Sequence, residues 1–200
     1  MNLQDSSVGA LVALFPAFLF CLLSSSDTPA VGNEIPSKPY NIVTFYTTRD
    51  PIITTNTTRA PDMCKDDIVV NTTATETYFL RGFRGTWMPP TLLWGLFWTA
   101  KNVSSNSVYN AMNVRSTGDK RFPPRNGTDW NSIEILLFAS DDYTCGLFFV
   151  DMVTTGTFYD VRVRTPGSVG EKGKPCLEEG EKLVPKNFTQ CEISNQNNGK

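Results

Sequence analysis

From residue 40 onward the chain is a succession of short apolar segments separated by clusters of Thr, Asn, Gly and Pro. Segments 40–47 (YNIVTFYT), 63–70 (MCKDDIVV), 75–84 (TETYFLRGFR) and 92–100 (LLWGLFWTA) have the length and the β-branched and aromatic content of strands. So do 107–115 (SVYNAMNVR), 132–139 (SIEILLFA), 144–152 (TCGLFFVDM) and 157–165 (TFYDVRVRT). Asn71-Thr72-Thr73 and the stretch Ser140-Asp141-Asp142-Tyr143 read as turns. Seven or eight short strands at fairly regular spacing predict an antiparallel sandwich or barrel. The tail departs from this pattern. Residues 167–175 read as a Gly/Lys loop, 176–183 (CLEEGEKL) as a short helix despite Gly180, and 187–193 carry the last cysteine.

The N-terminal pattern adds a compartment. Residues 8–23 (VGALVALFPAFLFCLL) form an apolar run closed by Ser24-Ser25-Ser26, which reads as a signal peptide cleaved after about Ser26. The preceding MNLQDSS departs from the usual signal in lacking Lys and Arg and in containing Asp5. A membrane anchor is the alternative. The short run, Pro16 and the absence of a basic stop-transfer flank speak against it. The expected organisation is a signal peptide over 1–26, a Pro-rich flexible lead-in over 27–39, one barrel domain over 40–193 and a disordered tail over 194–200. Of five cysteines, Cys21 leaves with the signal, so Cys64, Cys145, Cys176 and Cys191 remain as an even set for an oxidising compartment. Their connectivity is open among three pairings. Asn-x-Ser/Thr acceptors at Asn56, Asn71, Asn102, Asn126 and Asn187 predict a secreted glycoprotein.

Composition then excludes several functions. A formal net charge of −2 is no footprint for nucleic acid, and no membrane partner is expected once the signal is cleaved. The chain has no histidine, so Ser-His-Asp, Cys-His and His-based metal sites cannot be assembled within it. Asp141 and Asp142 are adjacent carboxylates in a turn, an arrangement that is ordinarily solvated. The expectation is capture rather than catalysis, with no cofactor and no metal.

Three stretches carry a resemblance. Residues 39–64 (PYNIVTFYTTRDP…MC) pair a Tyr-rich apolar run with an Asp-Pro turn and a cysteine. Residues 135–150 (ILLFASDDYTCGLFFV) place a Ser-Asp-Asp turn before a cysteine and an aromatic strand. Tyr159-Asp160-Val161-Arg162-Val163 is followed by Cys176 and Cys191. In order and spacing these stretches resemble the tick salivary lipocalins of the histamine-binding family. The resemblance implies an all-β fold, an eight-stranded antiparallel lipocalin-type barrel with a short C-terminal helix, and an interior the size of one small ligand. It also implies the pairings Cys64–Cys191 and Cys145–Cys176.

Amine binders of that family surround a cationic ligand with buried carboxylates and aromatic faces, which replace the hydration of an ammonium. Asp160 matches the family's strand carboxylate. It reads either as a ligand partner or as a solvent-facing strand residue. Arg162 stands where the family has Trp and shares a face with Asp160. Turned inward, it would neutralise Asp160, repel an amine and suit a carboxylate. Arg81, flanked on its face by Phe79 and Phe83, reads either as an inward anion partner or as an outward charge over an apolar rim. Phe79, Trp94, Trp98, Phe97, Tyr109 and Phe148 are cavity candidates against ordinary core packing. Glu134, between Ile133 and Ile135, reads as an outer-face residue.

Two functions compete. One is a secreted scavenger that binds a small host mediator, either a biogenic amine such as histamine or serotonin, or an eicosanoid or fatty acid, and so suppresses host defence. The other is a barrel scaffold that inhibits a host plasma protein of complement or haemostasis, since a fold does not dictate one function.

Overall fold

The computed structural model describes residues 40–60, 64–100, 108–118, 130–164 and 169–192. The signal, the lead-in, the tail and the acceptors Asn102 and Asn126 lie outside them. Among the described residues no helix is long and apolar enough to cross a membrane.

The first apolar segment is not the predicted strand. It forms a helix, α1 (Ile42–Tyr46). Its β-branched content favours a strand, but one local and two tertiary features override that propensity. The Asn41 side chain caps the helix by accepting from the Val43 and Thr44 amides at 2.9 and 3.3 Å. The Ile42 amide donates to the Tyr109 carbonyl at 2.9 Å. Ile42, Phe45 and Tyr46, at i, i+3 and i+4, are all fully buried against the barrel.

The strand that the pattern misses is β1 (Ile52–Thr57), whose Thr-rich sequence IITTNT lacks an apolar alternation. Seven strands follow: β2 (Lys65–Thr72), β3 (Glu76–Phe83), β4 (Thr91–Trp98), β5 (Ala111–Ser116), β6 (Ser132–Ala139), β7 (Cys145–Met152) and β8 (Gly156–Arg164). Strand β2 runs through Asn71 and Thr72, so the turn begins at Thr73 rather than Asn71. Each strand pairs antiparallel with the next from β2 to β8, then β8 pairs β1 and β1 pairs β2. The sheet therefore closes into an eight-stranded barrel. The β1–β2 seam is short, with register pairs only at Ile52–Asp67 and Ile53–Asp66. Where the two strands separate, β9 (Thr189–Gln190) pairs with Asn56 and Thr57, and the Cys64–Cys191 disulfide ties it to the head of β2.

The C-terminal helix α2 (Val169–Leu183) is longer than predicted, since it takes in most of the expected Gly/Lys loop. It packs on the outer faces of β7 and β8, where Cys145, Leu147, Val161 and Val163 form a second core with Cys176. The Cys145–Cys176 disulfide crosses this layer. A Cβ on Gly180 would lie 2.9 Å from the Phe188 ring, so the missing side chain lets the helix approach closely. Strand β8 is consequently buried on both faces, which explains its continuous run of buried residues from Asp160 to Val163.

Candidate functional site

Strand alternation and register decide what fills the barrel. At the end plugged by α1 lies an aromatic layer. Phe45 meets Phe148 edge-on at 5.0 Å, and Tyr46 sits 5.5 Å from Phe79 and 6.4 Å from Phe148. Next along the axis is a layer of charge. Lys65 and Asp67 come from β2, Arg81 from β3, Glu134 from β6, and Asp160 and Arg162 from β8. None of the six is more than 7 % exposed.

These side chains pair with one another. Arg81 grips Asp67 with two bonds of 2.7 Å and reaches across the barrel to Glu134 Oε1 at 2.6 Å. Arg162 donates to Glu134 Oε2 at 2.5 Å, to the Tyr46 hydroxyl at 3.0 Å and to Asp160 Oδ2 at 3.1 Å, and it lies 4.3 Å over the Phe148 ring. Tyr46 in turn donates to Asp67 at 3.3 Å. Lys65 completes the layer with a 2.7 Å ion pair to Asp160 Oδ2, its Nζ 5.1 Å from the Phe158 ring centre. Three cations therefore face three carboxylates.

The electrostatics follow from this pairing. Burial would raise the Glu134 pKa, but Arg162, Arg81 and Lys65 overcome it and hold the carboxyl well below its usual range. Asp160 is lowered against burial by Lys65 and Arg162. Burial opposes the charge on Arg81 and Arg162, yet their carboxylates hold both guanidiniums charged. Burial also pushes the Tyr46 phenol well above its ordinary value. Lys65 alone among the cations goes the other way. Burial, then the neighbouring Arg162, lower it to about 8.

Of the residues predicted from sequence, Asp160, Arg162, Arg81, Phe79 and Phe148 come together inside the barrel. The outward alternative for Arg81 is therefore incorrect, because its register partner Asp67 turns it inward. The outer-face reading of Glu134 is also incorrect. Its cross-strand neighbours Met112 and Val150 are interior residues. Trp94 is not a cavity residue. It alternates with the inward Leu93 and Gly95, donates to Glu76 Oε2 at 2.8 Å and stacks 5.4 Å from Trp130 outside the barrel. Trp98 shares its outward face, and Tyr109 stands half-exposed on the rim beside α1. Phe97 belongs to the interior core.

Sequence reasoning missed Tyr46, Lys65 and Asp67. A signal existed in MCKDDIVV: Lys65, Asp67 and Val69 share one face, leaving Ile68 and Val70 on the other. The usual assignment of apolar residues to the inside inverts that strand. Ile68 and Val70 are 50 % and 59 % exposed, and the charges are buried.

No family model and no curated protein sequence matches the chain. Among solved structures it is similar to apocrustacyanin C2, at 8 % identity and TM-score 0.48 over 78 % of this chain and 81 % of that one. It is also similar to lobster apocrustacyanin A1, at 9 % identity and TM-score 0.45 over 74 % and 77 %. These likenesses are too slight to carry an argument. The barrel assignment rests on strand order and register alone.

Proposed function

We propose that this chain is a secreted lipocalin that captures a small host mediator, a biogenic amine or a lipid, in its barrel and thereby suppresses host defence. The observation that carries this reading is the buried charge layer. Desolvating six ionised groups costs more than a hydrocarbon core of the same volume, and replacing buried ion pairs by apolar residues is commonly neutral or stabilising. Stability gives no reason for such an interior. Capture of a polar or charged guest does. Two disulfides support an extracellular setting, and Asn56, Asn71 and Asn187 are partly or fully exposed acceptors for glycan. Isothermal titration of the purified protein with histamine, serotonin, leukotriene B4 and a thromboxane analogue tests the reading. Saturable heat with one of them is expected, and none with all four overturns it.

One surface favours the protein-binding alternative. Trp87 is 94 % exposed beside Met88 in the β3–β4 connection, close to the outward row Ile68–Leu80–Leu92 that runs in register across three strands. A stoichiometric plasma partner retained by the native protein and lost by Trp87→Ser would establish that reading.

A further inference from the structure

Strand β2 has a neighbour on one side only over half its length. It pairs with β3 from Lys65 to Thr72, but β1 reaches it only at Asp66 and Asp67. Pro51, which precedes β1, has no amide with which to extend that seam. Among the described residues, no strand lies on the far side of residues 68–72. A groove of about 440 Å³ runs there instead, between residues 69–72 and the end of α1 at residues 46–49. An open edge offers its amides and carbonyls to any second strand, a copy of itself included. The side chains add to the hazard. Ile68 and Val70 are exposed, and Ile68 continues into the outward row of Leu80 and Leu92. Val70 lies at a bulge, which bends the edge and leaves it apolar. The nearest charge, Asp66, is held by Arg84 through bonds of 2.5 and 2.8 Å. Lysine and proline, which commonly blunt such an edge, are both missing from residues 68–72.

One polar group does stand on this edge. Asn71 opens the acceptor triplet Asn71-Thr72-Thr73 and is exposed. It lies on the outer face, because its register partner Tyr78 alternates with the buried, inward Thr77 and Phe79. Thr72 turns the other way, its hydroxyl donating to the Tyr46 carbonyl at 2.9 Å. We infer that Asn71 carries an N-linked oligosaccharide that covers the open edge of β2 and the row of Ile68, Leu80 and Leu92, and so keeps the chain from pairing strand to strand with its own copies. The inference rests on the secreted reading above and gives it a site and a use. The transfer balances. Asn71 Nδ2 bonds to C1 of the first sugar, the bond from that carbon to the pyrophosphate of a lipid-linked oligosaccharide donor breaks, and the displaced amide proton passes to solvent. The first sugar then stands beside Tyr78, whose Cβ lies about 5 Å across the strand pair and whose ring can take the C–H face of a pyranose. The other described acceptors cannot serve this edge. Asn56 lies where β1 has β8 on one side and β9 on the other, and Asn187 follows α2.

The test uses the full chain secreted from insect cells. Peptide mass spectrometry before and after enzymatic deglycosylation reads Asn71, and sedimentation velocity from low to high micromolar concentration reads the association state. The Asn71 peptide should carry sugar in most molecules, and the protein should sediment as a monomer. Asn71→Gln should self-associate more strongly by at least about tenfold. Asn187→Gln, which alters an acceptor remote from β2, should stay monomeric. Asn71→Gln with Val70→Lys should return to monomer, because a lysine blunts the edge that the sugar covered. If Asn71→Gln is not secreted, the native sequence made in a bacterial periplasm takes its place, since disulfides form there and no such sugar is added. That protein should self-associate, and its Val70→Lys variant should not. An unmodified Asn71 in secreted protein, or the same association state with and without its sugar, overturns the inference and leaves the secreted reading intact. A chain retained in the cells with no sugar on any acceptor ends both.

Discussion

Glu134 is the one carboxylate of the charge layer that Arg81 and Arg162 share, and Glu134→Gln tests whether the layer is as coupled as its geometry indicates. The native carboxylate receives Arg81 at 2.6 Å on one oxygen and Arg162 at 2.5 Å on the other, with no exposed surface. Glutamine keeps the shape but turns an NH₂ group toward one guanidinium and leaves the layer with an uncompensated positive charge. Removing one partner of a buried pair costs about 3–5 kcal/mol. Each arginine retains a second carboxylate, Arg81 through two bonds to Asp67 and Arg162 at 3.1 Å from Asp160. The lower end of that range, about 3 kcal/mol, is therefore expected. Urea unfolding followed by far-UV circular dichroism and tryptophan fluorescence measures it, with an unchanged m-value showing that only stability moved. Glu179→Gln on α2 is the control, because its 3.1 Å pair with the exposed Lys182 should contribute less than about 0.5 kcal/mol. A Glu134→Gln protein within about 1 kcal/mol of the native one would refute the coupled layer.

Four further outcomes follow from the same structure. Lys65 loses its proton at about 8 in the folded state and at its ordinary value near 10.5 when unfolded, so the unfolded chain binds more protons between these pH values. Stability should rise with pH across that window by about 3 kcal/mol, then fall above about pH 10 as the unfolded Tyr46 ionises and the folded one does not; urea midpoints against pH check this, and Lys65→Met should abolish the rise. On the acid side, Glu134 and Asp160 contribute stability that is present above their unfolded values and lost as pH falls below about 4. Gly146→Ala would put a Cβ 2.9 Å from Leu136 Cδ1 and from the Phe148 ring and 3.0 Å from the Phe45 ring, a clash in the aromatic layer worth about 1–3 kcal/mol in a thermal melt. Replacing both cysteines of a bridge by Ala should cost about 4 kcal/mol for Cys145–Cys176 and about 5 kcal/mol for Cys64–Cys191, whose sequence separations are 31 and 127, and equal losses would contradict the loop-entropy account.

The segment pattern alone carried the all-β class, seven of the barrel strands in outline and the hairpin turn at Ser140–Tyr143. These follow from local chemistry: β-branched and aromatic runs, and turn residues between them. The strand count came out right through two compensating errors. The run at 40–47 has strand composition but is a helix, because its cap and its i, i+3, i+4 apolar stripe need the barrel mouth to act on. Strand β1 has no apolar alternation to read, because both its neighbours and β9 supply its environment.

For the site, composition could say only that histidine chemistry is absent and that Asp160, Arg162 and Arg81 lie on strands. Which way each points is a matter of register, and a one-residue slip turns every side chain over. Only the closed barrel turns Glu134, Lys65 and Asp67 inward, while Ile68 and Leu80 face water or the outer surface. The cysteine connectivity is settled in the same way, since three pairings satisfy the sequence and only the folded chain brings Cys64 to Cys191. Read from the sequence, an inward Arg162 is a charge that repels an amine. The tertiary structure shows its charge shared between Glu134 and Asp160, so the quantity that governs a guest is the sum over the layer, not the sign of one residue. That sum depends on contacts between β2, β3, β6 and β8, which local pattern cannot encode because the residues are far apart in the chain and meet only across the barrel axis.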